Sequence, residues 1–342
     1  NYKAFSSVFV AGAISIYYLT IAIAFHDYHL FSQTVAFIIM CVITTFSVFV
    51  SVSYDRKELA VLSLIGGFAV PFMISTGEGN YKILFAYIAI LNIGMLAIAY
   101  FKKWNLVTIL AFAFTCILYA SWFGIGFSED KLHYKGALFF ATLFYFIFSF
   151  ATIAGNFRNK IQLSKSDYII ILVNTFFYFG FGISAINLWN PNFRGLFTVT
   201  LAMYNLLYAM LLYKKFGIDK NAVYLLLGLT LTFVTIAIPI QFRGNYITLF
   251  WAGEAVVLFW WAQKSKIKGF KFGAVIVQIL MFISLIMDWN QKYTISEKTL
   301  IIVFNPIFIT GLVVIASLVA TYFILKKEKE KQDIFSFSFN PV

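Results

Sequence analysis

Apolar runs of 16 to 27 residues alternate along the chain with short stretches rich in charged residues, glycine, proline or asparagine. A helix needs about 20 apolar residues to cross the hydrocarbon core of a bilayer, within a range of roughly 17–25. The pattern predicts twelve spanning helices, over 5–25, 30–53, 59–74, 81–101, 106–127, 136–155, 168–188, 196–213, 222–240, 247–262, 270–289 and 299–325. The third and tenth have 16 residues each, so re-entrant segments are the alternative for those two. Connections of a few residues make consecutive helices antiparallel neighbours and leave no room for an inserted soluble domain.

Composition narrows the class. Of 342 residues, 61% are apolar and 12% charged, against roughly 45–50% and about 25% in soluble chains. A soluble enzyme, a disordered tail, a coiled coil and a disulfide scaffold are all excluded. Cys41 and Cys116 lie inside apolar runs and read as packing residues. The net charge of +12 is a topology signal: with twelve spans, 19 of the 26 basic residues fall on the side that holds both termini. If the third segment fails to cross while the tenth does, the split weakens to ten against sixteen, so twelve spans with cytoplasmic termini is the better division. Positive charge spread around a membrane rim gives no support for nucleic-acid binding. Asn1 leads almost directly into a spanning segment, so the chain reads as part of a longer protein.

An internal repeat organises the spans. Gly79-Asn80-Tyr81-Lys82-Ile83-Leu84-Phe85 recurs as Gly244-Asn245-Tyr246-Ile247-Thr248-Leu249-Phe250, an offset of 165. Each copy follows an apolar segment carrying a proline near its end, Pro71 and Pro239. The expected fold is all-α: a polytopic transmembrane bundle of two six-helix halves forming a parallel repeat. The halves are 1–155 and 168–325, with a cytoplasmic linker 156–167 and a charged cytoplasmic tail 326–342. Gly66, Gly67, Pro71 and Pro239 are the expected helix breaks. Gly12, Gly180 and Gly182 join Gly66 and Gly67 as expected points of close helix approach. The two proline-to-Gly-Asn-Tyr turns, on the outer side, are where a functional cleft is expected; a tight capped turn is the alternative. Trp104, Trp189 and Trp289 read as interfacial anchors.

Chemistry-bearing residues are few. Thirteen of the fourteen acidic residues fall in loops, tails or span ends, and Glu254 alone sits mid-span. A carboxylate at that depth is costly, so Glu254 should face the bundle or a wet cavity, where the neutral acid is favoured. Proton binding and a buried hydrogen bond to an amide (Asn92, Asn174, Asn205, Gln278 or Asn305) are the two readings. Trp251, Asn245, Arg243, Asn80 and Glu78 complete the candidate proton- or substrate-binding set. His26 and His29, with Asp27, Glu78, Glu129 and Asp130, form a weak metal pattern on the outer side; no metal and no cofactor is expected. No phosphate-cradling loop or nucleophile elbow occurs, so an enzyme is the less favoured reading.

The stretch Leu62-Ser63-Leu64-Ile65-Gly66-Gly67-Phe68-Ala69-Val70-Pro71, running into Ser75-Thr76-Gly77-Glu78-Gly79-Asn80-Tyr81, resembles a bacterial family of membrane proteins, domain of unknown function 2339. So does Ala237-Ile238-Pro239 followed by Thr248-Leu249-Phe250-Trp251-Ala252-Gly253-Glu254-Ala255. The similarity covers most of 1–270 and is thin after Phe270. It implies the bacterial cytoplasmic membrane, longer relatives with further spans, and a family Trp and Glu at Trp251 and Glu254. It implies no activity. Three functions are compatible: transport or translocation of a small or lipid-linked substrate coupled to Glu254, a scaffold subunit of an envelope assembly, or a membrane-embedded transferase using Asp27 or the histidines at the outer face. Membrane lipids and other envelope membrane proteins are the expected partners.

Overall fold

The computed structural model describes residues 2–74, 80–102, 104–129, 131–159, 163–216, 220–295 and 305–326, together with 332–334 and 337–339. Twelve α-helices occur among them: α1 (Tyr2–His26), α2 (Gln33–Ser53), α3 (Lys57–Met73), α4 (Tyr81–Phe101), α5 (Asn105–Ser128), α6 (Tyr134–Asn159), α7 (Lys165–Trp189), α8 (Arg194–Phe216), α9 (Lys220–Gln241), α10 (Asn245–Ser265), α11 (Lys268–Trp289) and α12 (Pro306–Lys326). A 3₁₀ turn precedes α8, a π-helical turn follows α11, and Gln332–Ile334 pairs antiparallel with Phe337–Phe339. Ten helices are long and apolar enough to cross a membrane, and α3 and α10 are the two outside that set. The protein is a polytopic helical membrane protein.

The last helix starts later than the apolar run suggests, because Asn305 and Pro306 set its beginning. The Phe308 amide donates to Asn305 Oδ1 at 2.8 Å, and a residue before proline is driven out of the helical region. Residues 299–304 of that expected span lie outside the described residues.

Lipid removes the hydrophobic drive between helices, so packing and buried polar contacts join them. Large apolar side chains such as Phe49, Ile90 and Ile286 accordingly point outward, while Thr44, Ser47 and Ser51 of α2 are buried. Ser47 bonds to Ser63 across the α2–α3 contact, and Tyr18 of α1 bonds to Thr44 at 2.7 Å. Small residues allow the approach. A Cβ on Gly66 would lie 2.5 Å from the Tyr18 ring, and one on Gly67 would lie 3.0 Å from Thr44 Cγ2. Gly12 and Gly180 were expected to act likewise, but a Cβ there meets nothing within 4 Å, because both sit on faces without a helix neighbour at that level.

The chain forms two compact units, 1–189 and 190–342. In the first, α7 packs on α5 and α6: Asn174 Nδ2 donates to the Tyr145 carbonyl at 3.0 Å, and Tyr178 stacks on Tyr145. The contact boundary therefore follows α7, whereas the repeat read from the sequence places the division before it. Within α2–α6 the neighbours are α2–α3, α3–α4, α3–α5, α4–α5, α4–α6 and α5–α6. Within α8–α12 they are α8–α9, α9–α10, α9–α11, α10–α11, α10–α12 and α11–α12, the same six relations advanced by six helices.

The two less apolar helices are held on several sides. Lys102 at the end of α4 pairs with Asp55, in the turn before α3, at 2.7 Å. The α2–α3 and α4–α5 turns thus share one end of the unit, so α3 and α4 together travel out and back. Along α10, Asn245 Nδ2 donates to Thr310 Oγ1 (3.1 Å), Ser317 Oγ to the Ala252 carbonyl (3.0 Å) and Gln263 Nε2 to the Ile324 carbonyl (3.0 Å). Partner numbers rise together, so α10 lies parallel along α12 over about 27 Å, at 1.5 Å per residue.

Gly66→Val should lower unfolding stability by about 1–3 kcal/mol, the usual cost of overpacking, while Gly12→Val should be near neutral. Reversible unfolding in mixed micelles measures both; equal effects would remove the close-approach role of Gly66.

Candidate functional site

The helices run on through Gly66, Gly67, Pro71 and Pro239, where breaks were expected, and end two residues past each proline; both proline sites obey one rule. Proline has no N–H, so the carbonyl four residues earlier loses its helical donor. For Pro71 that carbonyl is Gly67 O; for Pro239 it is Thr235 O. Within a bilayer such a carbonyl is satisfied again by a neighbouring helix, a hydroxyl or an ordered water, and here protein groups do it. The Tyr87 hydroxyl on α4 donates to Gly67 O at 2.7 Å. The Trp251 indole Nε1–H on α10 donates to Thr235 O at 3.3 Å. Each unit thus ties a proline-bearing helix to the next one through an aromatic donor.

Around the first proline site lies a half-open cavity of about 450 Å³, lined by Pro71, Phe72 and Ile74 of the α3 end, Gln33, Thr34 and Phe37 of α2, Asn80, Tyr81, Ile83, Leu84 and Tyr87 of the α4 start, and Trp122 of α5. Gln33 Nε2 donates to the Ile74 carbonyl at 2.9 Å and closes the end of α3. Asn80 Oδ1 accepts from the Lys82 amide at 2.9 Å, capping α4. Tyr81 stacks on Trp122 with ring centroids 5.0 Å apart, and Phe85 packs edge-on against the same indole. Apolar and aromatic walls with amide and hydroxyl groups at the helix ends are the make-up of a small-molecule cleft.

Around the second proline site the chemistry is ionisable. Thr235 Oγ1 lies 2.6 Å from Glu254 Oε1 and 2.9 Å from the Leu231 carbonyl. Glu254 Oε2 is buried without a hydrogen-bond partner among the described residues. The partner of Glu254 is therefore a threonine hydroxyl on α9, and not one of the amides that one of the two sequence readings offered. A hydroxyl carries one proton and can donate to only one acceptor at a time. With Glu254 ionised, Thr235 donates to the carboxylate. With Glu254 protonated on Oε1, the acid donates to Thr235, which turns its own proton to Leu231 O. Both states use the same heavy-atom positions.

The repeated Gly-Asn-Tyr turns differ in detail. Asn80 caps its helix with its side chain, whereas Asn245 is the first residue of α10 and bonds to Thr310; Gly244, at φ +61°, makes the turn. Phe85 is fully buried, and Phe250 is 49% exposed. Arg243 is exposed beside Gly244. Glu78 lies outside the described residues. His26 ends α1 against the Phe25 ring, and His29 sits in a left-handed turn at φ 49°. Among the described residues no three of His, Cys, Asp and Glu gather as metal ligands; Asp130 also lies outside them.

Three side chains of these clusters escaped the sequence reading. Thr235 and Tyr87 could have been found by counting four residues back from each proline and asking what donates there. Asp288 is the third: placed at a span end by sequence, it is 5% exposed. Its Oδ2 accepts from Thr248 Oγ1 at 2.7 Å, and Ser284 Oγ lies 2.7 Å from that hydroxyl. Asp288 Oδ1 is 4.0 Å from where a Cβ on Gly244 would stand, so this carboxylate lies by the N-terminus of α10, where the helix dipole favours a negative charge.

A family model described as Predicted membrane protein (DUF2339) matches residues 2–339. The chain belongs to this family, and the match runs well past Phe270, where the motif similarity thins. No curated protein and no solved structure matches the chain.

Thr235→Val removes the hydroxyl and leaves both Glu254 oxygens without a donor; it should cost about 1–3 kcal/mol of stability, and Thr235→Ser should restore most of it. Unfolding titrations of the three proteins check this; equal stability of the valine and serine forms would remove the Thr235–Glu254 bond as a structural contact.

Proposed function

We propose that this family member is a proton-coupled translocator of a small or lipid-linked substrate in the bacterial cytoplasmic membrane, with Glu254 as the proton-bearing group. The observation that carries the reading is the Glu254–Thr235 pair at the proline site of α9. An ionisable group within a membrane-spanning bundle is costly and calls for a function. Here it has a partner that accommodates either protonation state by rotation of one hydroxyl. The buried, unpartnered Oε2 is a free acceptor for a proton, a water or a substrate donor.

The repeat supports two halves of common descent with divided roles. The six shared neighbour relations fit a duplicated five-helix unit, α2–α6 and α8–α12. By the proline alignment Thr235 corresponds to Gly67, and by the Gly-Asn-Tyr alignment Glu254 corresponds to Ala89. The first unit keeps an aromatic donor on the freed carbonyl but carries no ionisable pair there; instead it holds the 450 Å³ cleft, which we assign to substrate. The charge distribution supports cytoplasmic ends for the chain, which puts both proline sites towards the outer leaflet.

An acid-minus-alkaline infrared difference spectrum of the reconstituted protein should contain a carboxylic-acid C=O band that Glu254→Gln removes. In liposomes, an imposed pH gradient should accelerate transfer of NBD-labelled phosphatidylethanolamine between leaflets, and Glu254→Gln should reduce it to the rate of empty liposomes. A band and a transfer rate that both survive Glu254→Gln would contradict the assignment.

A further inference from the structure

A second cleft, of about 530 Å³, opens in the second unit where α8 ends, α9 begins and α10 turns into α11. It is divided by polarity. Met210, Val223 and Leu227 are among its apolar walls, and Lys220, Tyr213 and Ser265 contribute its polar edge. Among the described residues no carboxylate lines it; Asp219, next to Lys220, lies outside them. Lys214, Lys264 and Lys266 are exposed on the neighbouring helix ends, and none of these lysines forms an ion pair among the described residues. Lys264 lies 5.1 Å over the Trp260 ring, and Lys266 occupies the left-handed C-cap of α10 at φ 57°. The sequence assigns this end of the bundle to the cytoplasmic leaflet.

We propose that this cleft holds one anionic phospholipid, its phosphate at Lys220 and Tyr213 and one acyl chain along Met210, Val223 and Leu227. The volume is in the range of small-molecule sites, roughly 300–1,000 Å³. Charge complementarity selects the lipid class: a lysine with a tyrosine hydroxyl, flanked by further lysines that form no ion pair among the described residues, recognises a phosphodiester, and each lysine at an anionic surface contributes about 1 kcal/mol. A zwitterionic headgroup brings its own cation to the same place and is disfavoured. The site is independent of Glu254 and of any transport cycle.

Native mass spectrometry and thermal unfolding of the full chain, with phosphatidylglycerol and phosphatidylcholine of identical acyl chains, test the proposal. Phosphatidylglycerol should be retained and should raise the unfolding temperature, and phosphatidylcholine should do neither. Lys220→Gln should weaken phosphatidylglycerol binding about fivefold and Lys220→Gln/Lys266→Gln further, while Lys220→Arg should keep it. Lys220 is exposed, so unchanged unfolding of the lipid-free variants serves as the folding control. Glycerol phosphate, a headgroup without chains, should fail to displace the lipid. Equal retention of both lipids, unchanged binding in the double variant, or displacement by glycerol phosphate would each overturn the assignment.

Discussion

A carbonyl that loses its helical donor inside a bilayer must be given another one, and much of this molecule's arrangement follows from meeting that demand twice. Pro71 and Pro239 free Gly67 O and Thr235 O, and the donors come from Tyr87 and Trp251 on the following helices. The requirement fixes the rotation of α4 against α3 and of α10 against α9, because only one face of each later helix carries the aromatic donor. It also explains why Thr235 and Glu254 meet: the helix face that presents Trp251 presents Glu254 three residues later.

The same constraint accounts for the two helices that fall outside the apolar set. Helix α3 is a bundle-centre helix, with α1, α2, α4 and α5 around it, whereas α10 packs on α9, α11 and α12 and leaves Tyr246, Val257 and Trp260 exposed on its other face. A helix face covered by protein need not be apolar. It can carry Ser63, Gly66 and Gly67 in one case, and Asn245, Thr248, Glu254 and Gln263 in the other. Short apolar runs thus go with polar contacts between helices, and the hydrogen bonds from α10 to α12 and from α3 to its neighbours supply the contact that lipid does not provide.

Periodicity and length made the elements legible. The fourth span was expected at 81–101, where α4 lies, and most other boundaries differ by one to four residues. The two prolines and the mid-span Glu254 were equally visible. What the sequence concealed was pairing: a freed carbonyl reveals a need but not which residue on another helix meets it, so Tyr87 and Thr235 went unnoticed. Burial was concealed too. Asp288 reads as a span-end charge because its enclosure depends on Thr248 and Ser284, 40 and 4 residues away. The Gly-Asn-Tyr repeat, by contrast, overstated likeness, since Asn80 and Asn245 make different bonds in related turns.

A double-mutant cycle on Pro71 and Tyr87 tests the carbonyl account most directly. Alanine at 71 restores the N–H that Gly67 O lacks, so the tyrosine hydroxyl loses its task. In reversible unfolding, Tyr87→Phe should cost about 1–3 kcal/mol with Pro71 present and little in the Pro71→Ala background. Costs that are equal in the two backgrounds would show that the hydroxyl does not serve the proline-freed carbonyl, and would contradict the account.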